Sequence, residues 1–303
     1  MKAVCCLLIA ACAFAQAPQP DGAGVRPGNM LAQWRTGGPD CATVPDWQVH
    51  EYNEDFYILR ESGCTNYEKP FLYLIFGRDR VLLEDTGAGK QVQSGKAVAE
   101  VIAQWCARHG RTSIPLLVTH SHSHGDHVSG DAQFAAMPNT TMVPMTLDGM
   151  REHFGITKWP EQIGHVDLGG RMLDVVPIPG HDAWSVAFYD RQTGILLTGD
   201  SLYPGRLYVN DFPEFVRSTQ RLVDFTQGKI VAHVLGTHIE QSATPYKDYV
   251  VGTQYQPDEH ELALSRGQLL ELNDALQGMG GRPARMAMRD FTLWPKTQWP
   301  KTQ

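Results

Sequence analysis

Four side chains able to bind a metal fall within six residues: His122, His124, Asp126 and His127, in the segment His122-Ser-His124-Gly-Asp126-His127. Histidine and aspartate are costly to bury without partners, so a cluster this dense is not explained by packing. Imidazole nitrogen and carboxylate oxygen together suit zinc, with iron and manganese as competitors. Alternate residues of an extended loop point the same way, so His122 and His124 can grip one ion. Asp126 and His127 follow on a tighter turn and can face a second. His120 lies outside this register and is expected to be a strand-end residue making a hydrogen bond. No Cys-x-x-Cys pair occurs, which argues against a zinc knuckle.

Two ions about 3.5–4 Å apart would share a water and lower its pKa toward neutrality, for attack on an acyl or phosphoryl centre. Asp126 is placed to take a proton from that water or pass one to the leaving group. No nucleophile-elbow motif supplies a serine or cysteine instead. Three further candidates stand on glycine turns after apolar runs: His181 in Pro179-Gly180-His181, Asp200 in Leu197-Thr-Gly-Asp200, and His238 in Gly236-Thr-His238. Loops at strand ends are where a rigid scaffold presents chemistry.

The elements that must position these residues read as alternating strands and helices. Phe56 to Leu59, Phe71 to Phe76, Val81 to Leu83 and Ile114 to Val118 are short apolar runs between turn residues and predict strands. Residues 90–108 have helical spacing, and the last of those strands runs straight into the histidine cluster. The second half repeats the pattern. Short helices are expected at 128–136 and 145–154, strands at Met172 to Ile178, Ser185 to Tyr189, Ile195 to Thr198 and Ile230 to Leu235, and a helix at 213–226. His233 falls inside the last strand and is expected to pack in the sheet. A longer helix is expected from Glu259 to Gln277, followed by the repeat Trp294-Pro-Lys-Thr-Gln298, Trp299-Pro-Lys-Thr-Gln303, read as a flexible tail. The class is α/β with layered sheets.

The segment Thr119-His-Ser-His122-Ser-His124-Gly-Asp126-His127 resembles the signature of the metallo-β-lactamase-fold superfamily. Leu82-Leu-Glu-Asp85-Thr-Gly87 resembles its Asp-Thr-Gly strand end, and the His181, Asp200 and His238 loops follow in the family's order. The resemblance covers roughly residues 47–245. It implies an αββα four-layer sandwich, here with a short C-terminal helical extension. It also implies one metal held by His122, His124 and His181, a second held by Asp126, His127 and His238, and Asp200 bridging them. Asp85 would stand behind the ligands and hold the histidine loop by hydrogen bonds.

True metallo-β-lactamases usually carry cysteine or serine where Asp200 stands, so β-lactamase activity ranks low. Aspartate there is typical of glyoxalase II-type thioesterases, lactonases and phosphodiesterases. The implied function is a dinuclear zinc hydrolase acting on an ester, thioester, lactone or phosphodiester. The alternative is a mononuclear iron enzyme resembling the persulfide dioxygenases of the superfamily. Tyr203 and Tyr208 are candidates for substrate contact near the metals. Arg206 is a candidate for bidentate binding of a carboxylate or phosphate, against a surface salt bridge. Trp184 either lines the pocket or packs in the core.

The expected organisation is a signal peptide at 1–17, a linker or arm at 18–45, the catalytic domain at 46–245 and a C-terminal helical extension with tail at 246–303. Lys2, the apolar run Ala3 to Phe14 and small residues at Ala13-Phe-Ala15 or Ala15-Gln-Ala17 predict export, to the periplasm or outside the cell. Ile9-Ala-Ala-Cys12 offers lipoprotein anchoring as the alternative. Export permits a disulfide, and Cys41–Cys64 is the expected pair, leaving Cys106 as a packed thiol. A net charge of −7 over 303 residues gives no reason to expect nucleic acid. No later apolar run is long enough to span a membrane. The expected partner is a small-molecule substrate, and the C-terminal helix offers a surface for self-association.

Overall fold

The computed structural model describes residues 25–89 and 93–296. The expected signal peptide at 1–17 and the second pentapeptide copy lie outside them. A six-stranded sheet runs in sequence order: β1 (Trp47–Asn53), β2 (Phe56–Glu61), β3 (Phe71–Phe76), β4 (Val81–Glu84), β5 (Leu116–Thr119) and β6 (Thr140–Met142). The second sheet is built from β7 (Gly164–Asp167), β8 (Met172–Pro177), β9 (Val186–Asp190), β10 (Ile195–Leu197) and β12 (His233–Leu235), in the order β12-β10-β9-β8-β7. A small third sheet joins β11 (Arg206–Val209), β13 (Met286–Ala287) and β14 (Thr292–Pro295).

The two large sheets are apolar on both faces because both faces are covered. Along β2 and β3, Phe56, Ile58, Phe71 and Tyr73 face the second sheet. Their neighbours Tyr57, Leu59, Leu72 and Leu74 face the other way, onto helix α1 (Ser94–Arg108). In the second sheet, Val175 and Phe188 point inward, and Val176 and Ala187 point outward. The outward face is covered by α5 (Phe212–Phe225) and α6 (Arg266–Gly278). The layers are therefore helix, sheet, sheet, helix, as the resemblance implies. Period-2 alternation with apolar residues at every position reads as a continuous run in the sequence.

Three short helices, α2 (Gly125–Val128), α3 (Asp131–Ala135) and α4 (Leu147–Phe154), carry the chain from β5 toward β7. Cys41 and Cys64 form a disulfide, and Cys106 is a buried free thiol. The arm before β1 is docked: Trp34 is buried edge-on against Phe71.

Two expectations are corrected. The last helix begins at Arg266, not Glu259. Ser265 accepts from the helix's first turn while Gln268 reaches back to it, a capping box that fixes the start. Leu262 and Leu264 are buried as expected, but in extended chain, where Leu264 bridges to Val234. Trp294 and Pro295 are not tail: they end β14, in parallel register with Tyr208 and Val209. Among the described residues no helix is long and apolar enough to cross a membrane.

Candidate metal centre

Sheet register brings the site together. β4 and β5 are parallel, with Glu84 opposite Thr119, so Asp85 and the histidine loop leave the sheet side by side. β10 and β12 are also parallel, with Leu197 opposite Leu235, so Asp200 and His238 emerge together three residues later. His181 follows β8 on Gly180, which has φ +142° and lies against the Phe215 backbone of α5, where a Cβ would collide. Gly199, at φ +51°, likewise lets Asp200 turn back beside Ser121.

The seven expected ligands fall into two groups, His122, His124 and His181, and Asp126, His127, Asp200 and His238. In the first, His122 Nε2 and His181 Nε2 each lie 3.0 Å from His124 Nδ1. Asp200 stands between the groups and divides its carboxylate. Oδ2 lies 3.9 Å from His122 Nε2 and 3.5 Å from His181 Nε2. Oδ1 lies 3.6 Å from His127 Nε2 and 3.3 Å from His238 Nε2. Asp126 Oδ2 completes the second group, 3.4 Å from His127 Nε2 and 3.2 Å from His238 Nε2.

The ring atoms facing away from the centre are held. His127 Nδ1 bonds to Asp85 Oδ2 at 2.8 Å, His181 Nδ1 to the Tyr208 carbonyl at 2.7 Å, and His238 Nδ1 to the Glu68 carbonyl at 2.9 Å. His122 Nδ1 lies 3.1 Å from Ser121 Oγ, whose hydroxyl donates to Asp85. Such partners fix the tautomer, so that in the neutral ring the lone pair lies on the inward nitrogen. Asp85 sits at φ 66°, a conformation uncommon outside glycine, and takes three bonds in return: Ser121 N, Ser121 Oγ and His127 Nδ1.

The electrostatics suit a cation. His127 Nε2 and Asp200 Oδ1 are buried with no hydrogen-bond partner. A metal would satisfy both. Burial alone would raise the Asp126 and Asp200 carboxyls, but the charges of His127 and His238 outweigh it and hold both well below the usual carboxylate range. Burial opposes charge on His238, yet Asp200 and Asp126 push it up to about 9. His122 goes the other way, lowered by burial and by the charge on His127. The residues fit two metal ions, one in each group.

The chain has the metallo-β-lactamase fold. In sequence it is 28% identical over 186 residues to a hydroxyacylglutathione hydrolase of Aeromonas hydrophila, covering 59% of this chain and 66% of that protein, just under two thirds. It is 23% identical over 227 residues to the acyl-coenzyme A thioesterase MBLAC2 of Bos taurus, covering 64% and 81%. A hydroxyacylglutathione hydrolase of Methylococcus capsulatus is 34% identical over 147 residues, covering 46% and 55%. These relatives are thus named hydrolases. In structure it resembles TMB-1, with a TM-score of 0.52 at 12% identity, covering 78% of this chain and 100% of that one, and the metallo-β-lactamase DIM-1, with a TM-score of 0.50 at 14% identity, covering 78% and 98%. That likeness shows the fold. No family model matches the chain.

The substrate-contact candidates fare differently. Arg206 is buried, and its guanidinium is taken up by Glu240, Asp248, the Tyr208 hydroxyl and the Tyr249 carbonyl. It is neither a free substrate arm nor a surface ion pair, because every arm of the fork is engaged inside the protein. The Tyr203 ring packs 5.5 Å from the His238 ring, but its hydroxyl turns away to the Arg206 carbonyl. Tyr208 serves the site through its carbonyl, while its ring leans on Trp294. Trp184 is half-buried against the inter-sheet core. His120 bonds Asp131 as expected, and His233 packs edge-on against Tyr52.

Sequence reasoning missed Ser121, Glu61 and the Glu68 carbonyl. Ser121, within the motif, had a signal, being flanked by two histidines. A backbone carbonyl leaves none. Glu61 ends a strand, fully buried, with Oε2 accepting from Ala88 N at 2.8 Å and Oε1 without a partner.

Proposed function

We propose that this chain is an exported dinuclear zinc hydrolase that cleaves thioesters. The observation that carries the reading is the division of Asp200: one carboxylate oxygen toward each group of ligands supports two ions sharing a bridge. His122, His124 and His181 would hold one; Asp126, His127 and His238 would hold the other. When bound, the pair supplies an acidified water and a Lewis acid for the acyl oxygen. Asp126, kept ionised by its histidine neighbours, can take up a proton at Oδ1, the oxygen not turned to those imidazoles, and release it to the departing thiolate. Asp85, Ser121 and the Tyr208 and Glu68 carbonyls hold the imidazoles in register throughout turnover.

Thioesters are favoured over lactones and phosphodiesters because the relatives' names specify acyl groups carried on glutathione or coenzyme A, both thiols. Buried Arg206 leaves no free fork at the position expected to grip a phosphate. The amino-terminal pattern and the Cys41–Cys64 bridge support export. The test is a hydrolysis screen over thioesters, lactones, phosphodiesters and β-lactams, with metal content measured on the same sample. Thioester turnover with about two zinc per chain is expected. One iron with oxygen uptake, or preference for another bond class, overturns the reading.

A further inference from the structure

The three ligands proposed for the first ion come from two loops, and one aspartate ties those loops together. His122 and His124 flank Ser123, and Asp182 follows His181 directly. Ser123 Oγ donates to Asp182 Oδ2 at 3.0 Å. The Asp182 side chain is itself fixed from its own loop: Oδ1 accepts from Trp184 N at 2.9 Å, and Asp182 N donates to Ser185 Oγ at 3.2 Å. The carboxylate is therefore anchored beside His181 and reaches across to the turn that carries His122 and His124.

His124 differs from the other four imidazoles of the centre. His122, His127, His181 and His238 are buried and make their outward bonds through Nδ1. His124 instead turns Nδ1 inward, 3.0 Å from both His122 Nε2 and His181 Nε2. Its Nε2 faces outward and has no hydrogen-bond partner among the described residues. Its side chain is 41% exposed, against 5% or less for the other four. Asp182 Oδ2 lies 4.0 Å from that nitrogen. The separation is too long for a hydrogen bond, but a small turn of a half-exposed ring can close it. Oδ2 has the lone pairs for a second donor beside Ser123.

We infer that Asp182 is a positioning residue for the first ion, accepting a hydrogen bond from His124 Nε2–H when Nδ1 carries the metal. The inference rests on the two-ion reading. A neutral imidazole that binds metal through Nδ1 carries its proton on Nε2, so this bond selects the tautomer that leaves Nδ1 free. A carboxylate partner also makes the ring a more basic ligand. Without it, the most exposed of the five rings would be oriented by water alone. Asp182 thus does for His124 what Asp85 does for His127, and the Ser123 bond keeps His124 in step with His181.

The experiment measures zinc affinity of the metal-free full chain, by competition with a chromophoric chelator, in two backgrounds. Asp126→Ala/His238→Ala keeps the first group, and His122→Ala/His181→Ala keeps the second. Adding Asp182→Ala should weaken zinc binding about tenfold in the first background and leave the second unchanged. If the alanine chain does not fold, Asp182→Asn, which keeps an acceptor for Trp184 N, replaces it, with a smaller loss expected in the first background alone. In zinc-loaded wild type labelled with nitrogen-15 histidine, the His124 Nε2 proton should exchange slowly with water, and in Asp182→Ala rapidly. Equal loss in both backgrounds makes Asp182 a scaffold of the loop and overturns the inference. So does an unchanged affinity in the first background, or rapid exchange of that proton in the wild type. A first background that binds no zinc even with Asp182 in place removes the two-ion reading and the inference with it.

Discussion

Glu61→Gln tests how the site's surroundings are held. Burial raises this carboxyl; the bond from Ala88 N opposes, and Asp126 and Asp46 push further up, to about 8 from the usual 4.5. The folded carboxyl therefore stays protonated through neutral pH, while the unfolded one ionises. The folded-state pKa lies above the unfolded one, so the contribution is full below about pH 4.5 and is lost as pH rises through 8. At about 1.4 kcal/mol for each pH unit, the loss reaches roughly 5 kcal/mol above pH 8. Glutamine keeps an acceptor for Ala88 N and leaves a buried neutral amide where the acid leaves a buried neutral hydroxyl, so the two proteins should be close in stability at pH 5. At pH 8 the variant should be more stable by about 4 kcal/mol. Urea unfolding of chelator-treated protein at both pH values measures the gap, and the comparison cancels the histidines that titrate nearby. A gap that stays within about 1 kcal/mol from pH 5 to pH 8 refutes the argument.

His122→Ala or Asp200→Ala should abolish hydrolysis while far-ultraviolet circular dichroism stays native, since both residues lie on loops beyond the strands; turnover with metal content unchanged would sink the site assignment. Chelation should remove activity and zinc restore it, and because His238 holds its proton up to about pH 9 in the metal-free protein, zinc uptake at pH 7 should release protons measurable in weakly buffered solution and weaken as pH falls. Arg206→Met should cost about 3–5 kcal/mol by leaving Glu240 and Asp248 without their cation. A change confined to KM with the melting temperature unmoved would restore Arg206 as a substrate arm.

The layered fold and the seven clustered residues were legible because each carries a side-chain signal: apolar runs for doubly covered strands, and metal-binding types after them. β1, with Trp-Gln-Val-His-Glu-Tyr-Asn, was not called a strand, because an edge strand exposed on one side mixes polar residues into its pattern. β6, β7 and β11, with Thr-Thr-Met, Gly-His-Val-Asp and Arg-Leu-Tyr-Val, mix polar residues into three or four positions and so offer no apolar run. Helical spacing carries the final helix too far, because Leu262 and Leu264 fit that spacing while belonging to a buried extended segment. Arg206 misled because sequence shows the charge but not the two carboxylates that enclose it. What escaped at the site itself was mostly backbone: carbonyls have no letter in the sequence.

The disulfide has a consequence beyond holding an arm in place. Cys64 lies four residues before Glu68, in the loop whose carbonyl orients His238 and whose Gly63 packs against the Gln254 carbonyl. Closing this loop removes about 3 kcal/mol of freedom from the unfolded chain. Reduction returns that freedom to the unfolded chain and leaves residues 62–69 resting on their hydrogen bonds alone, such as Thr65 N to the Ser62 carbonyl and Lys69 Nζ to the Thr253 carbonyl. In a reducing medium the proposed ion at Asp126, His127 and His238 should be held more weakly than the proposed ion at His122, His124 and His181.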